Sequence, residues 1–424
     1  MGSLQKNKML LSLHAPRPVG RLAHGLTAMA LALAALSGVA APFTPTQDSE
    51  VVERLPLSAT DPSVRRVQSL RKQLEAQPDN AGLRIEIARR YFDLSMAQGD
   101  PRYVGYASAA IAPLGAASQP PGSYWLIRGM LQQYSHDFDG ALASLARASQ
   151  AEPRSPEPIS WRTAILMVQA RYPEAQAECA RLTPLVAAGC TAQVRASTGE
   201  LAPAFEALSQ ALAGAPGTPP ELALWELTRL GEMAWRLQRP DAAARHFERA
   251  FKLGVTDQYL LGAYADFLLD QKRPADVIKL LSDWERSDIL LLRLALAGRA
   301  AKDARARDWA AQLRDRFSAA AQRGDRLHEQ EAARFELDIE GRPKAALALA
   351  VRNYTTQKEP RDAEILLRSA LAAGDATAAQ PALAWLRESR YEDPQLARLA
   401  AQLDRPGAPP ARPASAAAAT GAAR

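Results

Sequence analysis

The three histidines beyond residue 24 are the side chains best suited to acid–base catalysis or metal ligation, and their spacing favours neither role. His136, His246 and His328 are far apart in sequence, and none lies at ligand spacing from another. The segment HEQE at 328–331 contains groups that could bind a metal, but a charged helix face is the simpler interpretation. We therefore expect surface histidines and no metal site.

Carboxylates are the second candidate for chemistry. Glu232 and Asp266 could serve as a general acid and base, but nothing in the sequence marks either one as buried or perturbed. The chain also lacks the patterns GxxxxGK[ST], GxGxxG, HExxH and GxSxG, which accompany phosphate binding, dinucleotide binding, zinc hydrolysis and serine hydrolysis. The sequence thus predicts no enzyme activity and no cofactor.

The charge distribution argues against a nucleic-acid partner. Four of the six net positive charges come from Lys6, Lys8, Arg17 and Arg21, which precede any acidic residue. The remaining chain is nearly neutral, whereas a nucleic-acid-binding protein usually carries a basic stripe. The basic stretch 299–326 contains four aspartates and is typical of a solvated helix face.

The N-terminus has the pattern of an export signal. A basic start leads into the apolar run 26–41, which is shorter than the roughly 20 residues that span a bilayer. Gly38 and Ala40 are the small residues expected at a cleavage site. We expect export to a bacterial periplasm. The alternative is an uncleaved anchor in the inner membrane, with membrane contact through residues 26–41 alone.

Cys179 and Cys190 are the only two cysteines, and an exported protein favours pairing them. The break between their predicted helices falls at Thr183 and Pro184, nearly midway. Each cysteine is therefore about one and a half turns from the same bend, on antiparallel helices. This symmetry can bring the two Cα atoms within the ~4.4–6.8 Å that a disulfide requires. The alternative is two buried thiols packed at a helix interface.

A pattern of small and apolar residues recurs along the chain at intervals of about 34 residues. Each unit has an apolar stripe, a short break, and then small or apolar residues at i, i+4 and i+7. The second half often begins with proline, which suits the first position of a helix. Each unit therefore predicts a helix pair, and pairs this short bury their apolar faces only by stacking in an array. Recurring positions are Phe138, Ala141, Leu145 and Ala148; Tyr172, Ala175, Cys179 and Leu182; Pro240, Ala243, Phe247 and Ala250; and Pro274, Val277, Leu281 and Trp284.

These units resemble the tetratricopeptide repeat over roughly residues 79–404. Arg128 and Gln132 depart from the family pattern, which usually has leucine and an aromatic residue at those positions. The resemblance implies an all-α, right-handed superhelical solenoid of about nine antiparallel helix pairs with capping helices. The closest match to the family pattern comprises Trp125, Gly129, Phe138, Ala141, Leu145, Ala148 and Pro153.

The resemblance also implies where a partner binds, because the first helix of each repeat lines the concave groove in that family. In the unit built on Leu227 and Leu230, one stripe of the first helix would pack against neighbouring helices. The stripe beside it on the same helix would face the groove. The alternative for Trp235 is that it seals the gap to its neighbouring helix. The implied groove residues are Met130, Gln133, Tyr134, Trp225, Thr228, Glu232, Trp235, Arg236, Asp266 and Asp270.

The predicted organisation places a signal peptide or anchor first and a Pro/Ala-rich disordered tail last. We expect a non-enzymatic scaffold that binds unidentified protein partners of the cell envelope, in an envelope, secretion or polysaccharide-export assembly. The alternative is a glycan-binding solenoid that uses groove aromatics. The segments are 1–41 (signal), 42–60 (linker), 61–78 (N-terminal cap), 79–392 (repeat array), 393–404 (C-terminal cap) and 405–424 (tail).

Overall fold

Nine consecutive helix pairs form the repeat array, with one further helix at each end. The computed structural model describes residues 62–98 and 100–404, together with Gln47. Twenty α-helices and no strand occur in these described residues, which confirms the all-α solenoid of about nine pairs. The predicted signal segment, the linker apart from Gln47, and the tail lie outside the described residues.

The first and last helices flank the pairs α2–α3, α4–α5 and so on to α18–α19. A short 3-10 turn, Ala112–Ala116, follows α3. Within the described part of the chain, no helix is both long and apolar enough to cross a membrane. The helices are Pro62–Ala76 (α1), Ala81–Gln98 (α2), Arg102–Ile111 (α3), Gly122–Tyr134 (α4), Phe138–Ala151 (α5), Glu157–Val168 (α6), Tyr172–Cys179 (α7), Pro184–Ala196 (α8), Leu201–Ala213 (α9), Pro220–Arg236 (α10), Pro240–Phe251 (α11), Gln258–Asp270 (α12), Pro274–Leu281 (α13), Asp288–Ala301 (α14), Ala306–Gln322 (α15), Glu329–Asp338 (α16), Pro343–Tyr354 (α17), Pro360–Ala373 (α18), Gln380–Ser389 (α19) and Pro394–Leu403 (α20).

Every pair from the second to the ninth turns through one residue of left-handed backbone conformation. Gln238 (φ 58°) shows the arrangement, because the next residue, Arg239, donates its backbone N–H to Ala234 O at 2.9 Å. This hydrogen bond closes a Schellman-type helix end and directs the chain into the second helix. The eight turn residues are His136, Ala170, Gly199, Gln238, Lys272, Lys302, Gly341 and Gly374.

Within a pair, glycine on the first helix allows the second helix to approach closely. A Cβ atom on Gly231 would lie 2.8 Å from Phe247 Cε1, and one on Gly129 would lie 2.6 Å from Leu145 Cγ. Both distances are far below van der Waals contact, so a larger side chain would separate the helices. Phe247 and Leu145 are fully buried as a result.

The array coils until its C-terminal pairs contact its middle pairs. Lys358 donates its backbone N–H to Val168 O at 2.8 Å, and Trp385 Nε1 donates to Tyr172 Oη at 2.9 Å. We call this contact of α7–α8 with α17–α19 the seam. The seam therefore joins residues about 200 positions apart in the chain.

Candidate functional site

A cavity of about 470 Å³ lies on the inner face of the array, between the first helices of several pairs. We call it the interior cavity. Glu232, Trp235, Arg236, Asp266 and Asp270, all of them implied groove residues, line it. Other lining residues come from α16, α18 and α20 and include Arg334, Asp338, Glu359, Arg361, Glu364, Arg368, Tyr391, Asp393 and Arg398.

Asp266 is held between two arginines. Its Oδ2 lies 2.6 Å from Arg293 Nη2, and its Oδ1 lies 2.8 Å from Arg334 Nη1. Burial raises the pKa of Asp266, but the guanidinium charges of Arg293 and Arg334 outweigh burial and hold that pKa well below its usual range. Asp266 is therefore a charged, paired group and is unsuited to proton transfer near neutral pH.

Glu232 anchors a second cluster with an aromatic ring at its centre. Arg229 Nη1 lies 2.8 Å from Glu232 Oε2, and Tyr259 donates its hydroxyl to Glu232 Oε1 at 2.7 Å. Arg361 reaches the same carboxylate from α18 at 3.4 Å. The guanidinium groups of Arg229 and Arg361 also lie 4.4 and 5.0 Å from the Tyr259 ring centroid. Both flanking cations therefore stabilise the carboxylate and the ring together.

Trp235 connects α10 to α12. Its ring packs edge-on against Phe267 at a centroid distance of 5.8 Å, and its Nε1 donates to Asp270 Oδ2 at 3.0 Å. The side chain is half-buried. The alternative interpretation of Trp235, as a residue that seals the gap between neighbouring helices, describes these contacts.

Arg236 connects α10 to α8 and to the turn before α20. Its Nη2 donates to Ala196 O at 2.6 Å, and its Nε donates to Glu392 O at 2.9 Å. Its guanidinium carbon also lies 3.8 Å from the Tyr391 ring centroid. One side chain thus helps to hold the C-terminal helix against the middle of the array.

The other five implied groove residues lie elsewhere. Met130 and Thr228 are 1% and 2% exposed, so neither side chain is available to a partner. Thr228 instead donates its hydroxyl to Leu224 O at 2.7 Å. The half-buried Trp225 packs against Gly189 of α8. The remaining two, Gln133 and Tyr134, are half-buried on α4 and do not line the interior cavity.

Sequence reasoning missed the contribution of the C-terminal pairs to the cavity. Arg334 on α16 and Arg361 on α18 pair with Asp266 and Glu232, which precede them by 68 and 129 residues. The repeat pattern places such residues on a first helix, but it carries no signal for contacts across the superhelix. These partners follow only from how tightly the array coils.

The histidines were expected at the surface, but His136, His246 and His328 are all half-buried. His246 is half-buried beside Arg245 and Arg249, and burial lowers its pKa to about 4. His328 lies 3.8 Å from Glu331. Neither residue lines the interior cavity.

Cys179 and Cys190 are joined by a disulfide across the bend between α7 and α8. Their Cα atoms are 5.6 Å apart. Cys179 is fully buried and Cys190 is 5% exposed. The bond therefore ties the short α7, which carries the seam residue Tyr172, to the next helix.

No family model and no curated protein matches this chain. Solved structures with similarity include the APC/C hetero-tetramer Cut9–Hcn1, with TM-score 0.38 and 13% identity over 81% of this chain and 53% of that chain. Yeast Tom70 gives TM-score 0.38 and 13% identity over 80% of this chain and 85% of that one. The TPR domain of P58(IPK) gives TM-score 0.21 and 11% identity over 80% and 92%.

This chain spans about half the length of the Cut9–Hcn1 chain that it matches. Because all three TM-scores lie below 0.5 and the identities below 25%, the likeness contributes nothing to the assignment of the site.

Proposed function

We propose that this protein is a non-enzymatic scaffold that binds an extended, charged segment of a partner protein on its inner face. The observation that carries the proposal is the interior cavity, which is lined by residues of six helix pairs and α20 and brings arginines and carboxylates together. Superhelical arrays of helix pairs commonly present such a surface to partners. Several of the charged groups here form ion pairs with one another, as Asp266 does with Arg334 and Glu232 with Arg361.

A polypeptide suits the cavity better than a glycan does. Sugar binding by stacking needs uncovered aromatic faces, and arginines lie against the rings of Tyr259 and Tyr391. A charged peptide can instead exchange with the existing ion pairs. Partly exposed ion pairs each contribute only about 1 kcal/mol or less, so the contact between Arg361 and Glu232 can open at low cost.

Export to the bacterial periplasm is part of the proposal. It is supported by the basic start and the apolar run 26–41 of the sequence. The joined pair Cys179 and Cys190 is consistent with an oxidising compartment. The partner would then belong to an assembly of the cell envelope. Protease added to intact spheroplasts should digest the protein, and protection until lysis would contradict export.

Site-specific photo-crosslinking in the living cell tests the binding face. A photoreactive residue replaces Gln330, which lines the interior cavity, and in the control it replaces the exposed Lys279 on α13. We expect a protein adduct at position 330 that is absent at position 279. The variant Glu232→Ala should weaken the adduct, since it removes an ion-pairing group of the cavity.

Two results would contradict the proposal. Equal adducts at positions 330 and 279 would show that the inner face is not the binding surface. A carbohydrate adduct at position 330 alone would support the glycan-binding alternative.

A further inference from the structure

A second and larger cavity lies at the seam, separate from the binding face proposed above. It has a volume of about 1100 Å³ and is lined by residues of α7–α8 on one side and α17–α19 on the other. We call it the seam cavity. Tyr172 lines both cavities and lies in the wall between them. The volume is slightly above the usual range for small-molecule sites, about 300–1000 Å³.

The floor of the seam cavity is aromatic and apolar. Tyr172, Tyr354 and Trp385 line it and are each less than 10% exposed, so only the edges of these rings are open to the cavity. Val351 at its edge is 39% exposed, whereas most large apolar side chains in the described residues are buried. An apolar ligand body would cover this surface and gain the free energy of removing it from water.

The lining also contains two cations without an acidic partner. Lys358 and Arg390 line the seam cavity, and no carboxylate of the described residues lies within 4.0 Å of either side chain. Arg195 also lines the cavity but is paired with Glu200 at 2.7 Å. One carboxylate opposes these two cations: Glu388 lines the same cavity and has no basic partner among the described residues.

The balance of unpaired charge therefore favours an acidic ligand. The position of Arg390 is fixed by its backbone, which is left-handed (φ 54°) at the end of α19. A Cβ atom added to Gly199 would lie 3.0 Å from the Cβ of Arg390, so the backbone of this exposed residue lies close to the turn between α8 and α9.

We propose that the seam cavity binds a long-chain carboxylate, with the hydrocarbon chain over the aromatic floor and the carboxylate near Lys358 and Arg390. The inference is independent of the partner-binding face, because the two cavities share only the wall at Tyr172. A ligand here would contact both sides of the seam and so stabilise its closed form.

Calorimetric titration of the full chain with dodecanoate, below its micelle concentration, tests the proposal. Dodecylammonium has the same chain and the opposite charge, and we expect it to bind at least roughly tenfold more weakly. The double variant Lys358→Gln with Arg390→Asn should weaken dodecanoate binding by roughly tenfold, because two partly exposed charge contacts are lost. Asparagine is chosen because it tolerates the left-handed backbone. The variant Lys279→Gln removes a lysine away from both cavities and should bind as the wild type does.

A blocking variant tests the apolar part of the site. Ala384 lines the seam cavity and is half-buried on α19, so Ala384→Phe places a ring in the cavity and should abolish binding. If circular dichroism shows that this variant does not fold, Thr191→Phe blocks the cavity from α8 instead.

Three results would overturn the inference: no heat of binding with dodecanoate, equal affinity for the two charge types, or wild-type affinity in the folded blocking variant. Wild-type affinity in the double charge variant would overturn the placement of the carboxylate. The crosslinking result at position 330 is unaffected by any of them, so the two proposals fail separately.

Discussion

Glu226 is an unusual residue for the middle of a helix interface, and replacing it gives the sharpest test of the structure. The residue lies on α10 and is 0% exposed. Neither carboxylate oxygen has a hydrogen-bond partner within the described residues. Burial raises the pKa of Glu226 to about 7 from the 4.5 of an exposed glutamate. No neighbouring charge opposes this effect of burial, so the carboxyl group is protonated below pH 7 in the folded protein.

The sign of the effect on stability follows from proton binding. Between pH 4.5 and 7 the folded state holds a proton on Glu226 that the unfolded state has lost, so the free energy of unfolding falls as the pH rises through this window. A pKa that is higher by one in the folded state than in the unfolded state corresponds to about 1.36 kcal/mol, which gives a loss of about 3 kcal/mol by pH 8. The variant Glu226→Gln cannot ionise. We therefore expect it to be about 3 kcal/mol more stable than the wild type at pH 8, and nearly equal to it at pH 4.5.

Urea unfolding followed by circular dichroism at pH 4.5 to 8.5 measures the difference between variant and wild type. Taking the difference removes the pH dependence of all other groups. The control is Glu206→Gln, which changes an exposed glutamate paired with Arg239 at 3.1 Å and should give a small difference at every pH. A difference for Glu226→Gln that stays constant across this range would refute the reasoning.

Three further predictions concern the disulfide, the closure of the array and the buried ion pair. Replacing Cys179 and Cys190 by alanine should lower the free energy of unfolding by about 3 kcal/mol, the value for a loop of their 11-residue separation. Two free thiols detected by mass spectrometry in the unreduced protein would contradict the bond. Trp235→Ala with Arg236→Ala should lower the free energy of unfolding by about 2 kcal/mol, because these two side chains contact α8, α12 and the turn before α20. An unchanged melting temperature with weakened partner binding would instead support the freely exposed groove that the sequence implies. Asp266→Asn should lower the free energy of unfolding, measured in urea, by about 3 kcal/mol, because it leaves the buried guanidinium of Arg293 without a counter-charge. An unchanged free energy of unfolding would show that the ion pair contributes no net stability.

The sequence was most informative where the constraint is local. Spacing alone located the pair α10–α11, because Gly231 and Phe247 must meet for two helices to pack at short distance. It also placed the cysteines symmetrically about one bend, where the structure joins them. Both inferences depend on fewer than 20 residues of chain, a range over which helix geometry fixes which side chains meet.

The inner-face residues show where sequence reasoning stops. A pattern of 3.6 residues per turn assigns Thr228 and Glu232 to one stripe of α10, yet Thr228 is buried and Glu232 faces the interior cavity. The difference arises because neighbouring helices cover part of the stripe. How much they cover depends on the angle between successive pairs, which no single repeat encodes.

The sequence by itself determined the helix pairs and their approximate number, because periodic apolar residues and turn residues act over one repeat. The tertiary structure alone decided that the array closes on itself at the seam, where Tyr172 meets Trp385 across 213 positions. It also decided that the carboxylates of Glu232 and Asp266 are paired with Arg361 and Arg334 and are not free to bind a partner. Small rotations between successive pairs accumulate along the array, so contacts between distant repeats depend on the sum of many packing geometries and leave no pattern in the sequence.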